Sequence, residues 1–215
     1  MKSYYNRQKE KPAVLINAGF FGMSNGVTVF NYINEFEQIS YNKSYQWGMG
    51  LTADKDLQYG CMTHKNWKDF ISGFPVLLDN CRKCDYSYAQ EINYKARRTA
   101  IGYNEDTIFA VCVEYPGMTF PALQNLMLEL GCKYAINLDG GGSTKMLYNG
   151  ESFTTDATNR AVDNVIAFYL NPSVYLNPDD IESFTFRGKT LSINKKIIPD
   201  NLTASKYVCS WVQKG

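Results

Sequence analysis

Along this chain, hydrophobic and polar positions change over in short stretches and only once repeat at sustained helical spacing. Residues 13–18 form a short apolar run that breaks at Gly19-Phe20-Phe21-Gly22, the pattern of a buried strand entering a loop. Residues 27–60 are rich in Tyr, Phe, Val, Thr and Gly, with turn signals at Asn25-Gly26 and around Asp54, and predict strands and hairpins. A short helix is expected over 66–72 and a buried strand over 74–78. Strands over 97–103 and 107–114 are expected to be joined by a turn at 104–106. The clearest helix follows. Thr119 is placed to cap it, Pro121 suits its first turn, Leu123, Leu126, Met127 and Leu130 share one face, and Gly131 ends it. Residues 134–138 read as a buried strand leading into Asp139 and three glycines, and 144–148 and 162–170 as closing strands.

This order predicts an α+β fold: mostly antiparallel sheet, with one long and a few short helices packed on a sheet face. After Asn171-Pro172 the texture turns polar and weakly patterned, and 189–198 is the only strand-like stretch. The expected division is a principal domain over 1–171, with 172–215 as an appendage or a linker to further domains.

Composition narrows the partners. With 215 residues and 45% hydrophobic content, the chain can bury one good core. Its 22 basic and 21 acidic side chains leave a net charge of +1, which gives no footprint for nucleic acid, so any anionic ligand must be held by a few placed donors. No apolar run approaches the roughly 20 residues of a membrane span. Residues 1–11 are polar and carry no signal-peptide core, so the sequence as it stands is expected to be cytoplasmic, or associated with a phage or lytic system acting at the cell wall. Abundant Lys, Asn, Tyr and Ile suit a low-GC bacterium or its phage. Of six cysteines, Cys112 and Cys132 sit in apolar segments. Cys81 and Cys84 have the spacing of a metal or redox pair, but no second such pair accompanies them; free thiols are favoured over a disulfide or a zinc site completed by Cys61 and His64.

The candidate chemistry gathers in four segments. Asn137-Leu138-Asp139-Gly140-Gly141-Gly142-Ser143-Thr144 places three glycines between two strands. Such a run suits positive φ or close approach to a ligand, and its N–H groups can form an anion nest. The competing reading is a tight hairpin loop whose Asp satisfies the loop amides. It is neither a Walker loop nor a dinucleotide fingerprint. Arg97-Arg98 enter a buried strand, where a cation needs an anionic partner: Asp139, Glu114 or a phosphate. Period two sends only one arginine to each face, and Arg98 is favoured. Arg160 follows a polar loop; taken alone, such a residue is more often solvated. Asn17 and Gly19 open Asn17-Ala18-Gly19-Phe20-Phe21, which plain turn chemistry also explains.

Together with Gly73-Phe74-Pro75-Val76-Leu77, Arg98-Thr99-Ala100-Ile101-Gly102, Glu114, the helix over 119–131 and Arg160-Ala161-Val162, these segments resemble the phosphodiester glycosidase family, in the family's order over roughly residues 12–170. The family often has Asp where this chain has Glu114. The resemblance implies hydrolysis of the glycosidic C–O bond of a sugar-1-phosphodiester in a phosphorylated glycan. Asp139 is then the expected base or nucleophile, Glu114 the second acid and Arg98 the phosphate-binding cation. Asn17, Gly19, Asn137, Gly140, Gly141, Gly142, Ser143, Thr144 and Arg160 are expected to bind substrate. No cofactor is required, although Asp139, Asn137 and Glu114 are oxygen ligands suited to Mg²⁺ or Ca²⁺. A non-catalytic phosphoglycan-binding module is the alternative.

Overall fold

The computed structural model describes residues 1–54, 56–105, 107–154 and 160–169, and the strands Ile181–Phe186, Lys189–Asn194 and Tyr207–Gln213. In chain order the elements are α1 (Lys2–Arg7), β1 (Val14–Asn17), β2 (Tyr32–Asn34), β3 (Glu37–Ser40), β4 (Trp47–Thr52), β5 (Leu57–Cys61), β6 (Trp67–Ser72), β7 (Val76–Asp79) and β8 (Arg82–Lys83). They continue with β9 (Ala96–Tyr103), β10 (Thr107–Met118), α2 (Phe120–Glu129), β11 (Tyr134–Asn137), β12 (Met146–Tyr148), β13 (Glu151–Ser152), β14 (Val165–Phe168), β15 (Ile181–Phe186), β16 (Lys189–Asn194) and β17 (Tyr207–Gln213). Short 3-10 turns lie at Met62–His64, Ser87–Ile92 and Gly141–Ser143.

The paired strands are antiparallel. A six-stranded sheet runs β17-β10-β9-β11-β7-β8, a five-stranded sheet β3-β2-β6-β4-β5 and a four-stranded sheet β13-β12-β1-β14, and β15 pairs with β16. The mostly antiparallel class expected from the sequence is what the fold shows.

The six-stranded sheet is apolar on both faces, which is why 107–113 reads as an almost unbroken hydrophobic run. On one face Ala100, Val111 and Ala135 pack with Leu123, Leu126 and Met127 of α2. On the other, Ile101, Ala110, Cys112 and Ile136 pack with Val14 and Ile16 of β1 and Met49 and Ile71 of the five-stranded sheet. Gly102 lets the helix approach: a Cβ there would stand 2.7 Å from both Met127 Cε and Cys132 Sγ.

Three expectations are corrected. Residues 67–72 are a strand, β6, because Trp67, Phe70 and Ile71 pack into sheet-facing cores instead of one helical stripe. The stretch after 172 holds more strand than 189–198: β15 precedes it, and β17 lies along the edge of β10. Thr119 occupies the N-cap position without a side-chain bond, and Asn93 Oδ1 accepts the Phe120 N–H at 2.9 Å instead. Cys81 lies in the turn of the β7–β8 hairpin, where Asn80 and Cys81 take positive φ, Cys84 directly follows β8, and both are free thiols. Their spacing is turn geometry.

The borrowed cap gives a test. Asn93→Ala should cost about 1 kcal/mol in urea unfolding, the usual worth of an N-cap, and Thr119→Ala measurably less. Equal losses would contradict this capping arrangement.

Candidate functional site

Strands β1, β6, β9 and β11 are tied together where the glycine run begins. Leu138 N–H donates to Thr99 O (2.8 Å), Asp139 N–H to Ala18 O (3.0 Å), and Phe74 N–H to Asn137 O (2.9 Å). The side chain of Asn17 sits at the centre, 1% exposed. Its Nδ2 donates to Asp139 O at 2.6 Å, and its Oδ1 accepts from Thr99 Oγ1 at 2.7 Å and from Lys145 N–H at 3.0 Å. Asn17 is therefore committed to holding the loop. Gly19 is committed likewise: its N–H donates to Asn164 Oδ1 at 2.6 Å, and a Cβ there would strike Ile71.

The loop folds into the turn Gly141–Ser143. Gly140 N–H donates to Asp139 Oδ1 (2.9 Å), Ser143 N–H to Gly140 O (3.0 Å) and Thr144 N–H to Gly141 O (3.3 Å). The expected anion nest is narrower for this reason, since these amides serve the loop itself. Two of the glycines have distinct physical grounds. A Cβ on Gly140 would lie 2.7 Å from Arg97 O, and Gly141 has φ +59°.

On the loop that carries Asp139, two buried oxygens lack partners. Asn137 Nδ2 donates to Phe74 O (2.7 Å) and Leu138 O (2.9 Å), which fixes its Oδ1 as an acceptor; that oxygen is buried and unbonded. The buried hydroxyl of Thr144 also makes no hydrogen bond, and the Ser143 hydroxyl lies against the Asp139 carboxyl. Buried polar groups are rarely left so, and two on the loop that carries Asp139 mark a place made for a polar ligand. Asp139 is half-buried. Burial pushes its carboxyl above the ordinary range, against the opposing pull of the Ser143 side chain, the Gly140 N–H and the positive charge of Arg160.

The two arginines part as period two requires, but in the opposite sense to the expectation. Arg97 faces the loop: its Nη2 donates to Thr144 O at 2.8 Å and lies 3.6 Å from Glu114 Oε1. Arg98 points to the α2 face. There its guanidinium donates to Met118 O (3.0 Å), Ile92 O (2.7 Å) and Tyr94 O (2.7 Å) and covers the Phe120 ring at 4.2 Å. Burial among these groups lowers its pKa to about 10. Arg98 is thus separated from Asp139 by the sheet, and the phosphate role given to it fails on geometry. Thr99 was the missed signal: it shares a face with Arg97 and bonds Asn17.

The structure so brings together Asp139, Asn137, the glycine run, Ser143, Thr144 and Arg160, with Asn17, Gly19, Arg97 and Glu114 around them. Sequence reasoning named Arg97 but favoured Arg98, and it missed the part of Thr99 and Asn164. The polar loop before Arg160 is outside the described residues from 155 to 159. Among the described residues, no three His, Cys, Asp or Glu side chains gather as a metal site, and no helix is long and apolar enough to cross a membrane.

A half-buried carboxylate on a glycine loop, at the meeting of antiparallel strands, marks a protein that handles a polar ligand at a sheet end. Comparison with known proteins makes this specific: the phosphodiester glycosidase family model matches residues 10–169, and the chain belongs to that family. The chain is 26% identical over 161 residues to the human N-acetylglucosamine-1-phosphodiester alpha-N-acetylglucosaminidase and 24% identical to the mouse protein of the same name. Each alignment covers 62% of this chain and 31% of the relative, so the chain spans about a third of those proteins. In fold it is similar to the zebrafish catalytic domain of that name, solved auto-inhibited by its pro-peptide, with TM-score 0.64 and 20% identity over 79% of this chain and 66% of that one. A hypothetical protein from Synechocystis is similar with TM-score 0.58 and 12% identity, over 66% of this chain and 48% of that one.

The raised carboxyl of Asp139 has a stability consequence. A folded-state pKa above the unfolded one means that the folded protein holds the proton more tightly, so Asp139 weakens the fold as pH rises past the unfolded Asp value of about 3.9. Asp139→Asn should therefore raise Tm at pH 7, and its advantage should shrink as pH falls toward about 4. A lower Tm for the variant at pH 7 would contradict this.

Proposed function

We propose that the chain hydrolyses the glycosidic C–O bond of a sugar-1-phosphodiester. The observation that carries this reading is the half-buried carboxylate of Asp139 on a loop that also carries the unpaired buried oxygens of Asn137 and Thr144, in a chain of this family. The leaving group is a phosphate monoester, already a stable anion. The protein's task at that end is to hold phosphate and neutralise the charge it gains. The Ser143 and Thr144 hydroxyls and the cation of Arg160 suit that task; Arg97 acts through the loop, fixing the Thr144 carbonyl and pairing with Glu114. At the sugar, an oxocarbenium-like centre is attacked with the help of Asp139. The C1–O bond breaks, the bridging oxygen leaves with phosphorus, and water oxygen ends on C1. Asn137 Oδ1, held as an acceptor, suits a sugar hydroxyl.

Burial supports the same assignment, since a carboxyl raised toward neutrality is a better base than an ordinary Asp. If Asp139 must be ionised to act, the acidic limb of kcat/KM lies above about pH 4 and vanishes in Asp139→Asn. That variant should lose about 10²–10⁴-fold in kcat on an N-acetylglucosamine-1-phosphodiester. Hydrolysis in ¹⁸O water should label the released sugar. Label in the phosphate would mean P–O cleavage, and tight binding without turnover would mean a binding module; either result overturns the proposal.

A further inference from the structure

Lys145 directly follows Thr144 at the end of the glycine loop, and its main chain and side chain serve different partners. The main chain is locked into the frame of the site. Its N–H donates to Asn17 Oδ1 at 3.0 Å, its carbonyl accepts the Asn17 N–H at 3.2 Å, and Cys112 Sγ lies 3.6 Å from the same carbonyl. The half-buried side chain leaves that frame and donates from Nζ to the carbonyl of Arg160.

Arg160 lies outside the strands, between β13 and β14. The chain is next pinned beyond it: Asp163 accepts from the Thr28 hydroxyl and from Asn164 Nδ2, and Asn164 O accepts the Ala18 N–H. At Arg160 itself the backbone is held by Lys145. An ammonium on a carbonyl makes a charge-assisted hydrogen bond, stronger than its neutral counterpart. Because Lys145 is rooted on Asn17, this bond refers Arg160 to the same anchor that places Asp139.

Of the two cations, Arg160 is the one whose charge acts on the Asp139 carboxyl. Lys145 gives its ammonium to main chain one step behind. A guanidinium grips a phosphate well only when its planar fork lines up with two oxygens, and its attraction halves as the separation doubles. Both demands fall on the Arg160 backbone, which no ladder holds.

We infer that Lys145 is a positioning residue for the reaction: it fixes the Arg160 backbone so that the guanidinium meets the substrate phosphate, and does not bind that phosphate itself. The inference rests on the reading under Proposed function, in which Arg160 neutralises the leaving phosphate. Lysine suits the role, since its long stem reaches past the loop and its head carries donors only, as a carbonyl requires.

Inorganic phosphate is the probe. Thermal unfolding of the whole chain at increasing phosphate gives the affinity of each variant and, without phosphate, its stability. Phosphate should stabilise wild type. Arg160→Met should weaken phosphate binding about tenfold and Lys145→Met about three- to tenfold, while Lys145→Arg, which can reach the same carbonyl, should restore most of the loss. In the Arg160→Met background, Lys145→Met should cost less than about twofold, because the two act as one unit. A merely structural lysine would instead lower Tm without phosphate and leave the affinity as it was. Unchanged affinity in Lys145→Met, with Arg160→Met weakened, overturns the inference and leaves the reaction standing. A loss that persists in the Arg160→Met background means that Lys145 binds phosphate directly, and overturns it too. No phosphate binding by wild type, or none lost in Arg160→Met, sinks the phosphate role of Arg160 and the inference together. Should Lys145→Met fail to fold, Lys145→Thr, which keeps the backbone bonds to Asn17 but is too short to reach Arg160, is read in the same way.

Discussion

The side-chain amide of Asn17 is the interaction on which the site depends. One buried group donates to the carbonyl of Asp139 and accepts from Thr99 and from the amide of Lys145. It thereby joins β1, β9 and both ends of the glycine loop. No backbone ladder could do this, because β1 belongs to one sheet and β9 to another, and their ladders run to different partners. Buried in low dielectric, such a fully satisfied amide is strong and specifies one geometry. Asp139 owes its position to that geometry, and its raised carboxyl to the burial that comes with it.

Around this anchor the molecule separates support from chemistry. Arg97 and Glu114 hold the loop from inside the fold, and Arg98 holds the far face of the same sheet. The oxygens left unpaired, on Asn137 and Thr144, lie at the two ends of the loop that carries Asp139. A fold that satisfies Asn17 and Asn31 completely yet leaves those two open has placed both on one loop. That concentration is the physical signature of a ligand site.

Much of this was legible in the sequence. Strand runs, hairpin turns and the glycine loop follow from local chemistry, and the resemblance to a family rested on motifs that fix the loop. Three things were not legible, each for a tertiary reason. Residues 67–72 carry Trp67, Phe70 and Ile71 at spacings that suit a helix or a twice-buried strand equally, and only the neighbouring strands decide. Period two correctly split Arg97 from Arg98, but the choice of face depends on where α2 packs. The helix cap comes from Asn93, far along the chain from Phe120, and nothing local to the helix announces it.

The pairing of β17 with β10 bears on how the chain can be cut. The family match ends at residue 169, a natural place to truncate. Yet β10 is twelve residues long, and β17 lies along seven of them, from Thr107 to Val113. Removing that cover would leave the apolar stretch 107–113 with its outward N–H and C=O groups bare, a template for edge-to-edge association between copies. A fragment trimmed to the family boundary would keep every residue around Asp139 and still be prone to aggregate, so β17 acts as a guard on the sheet.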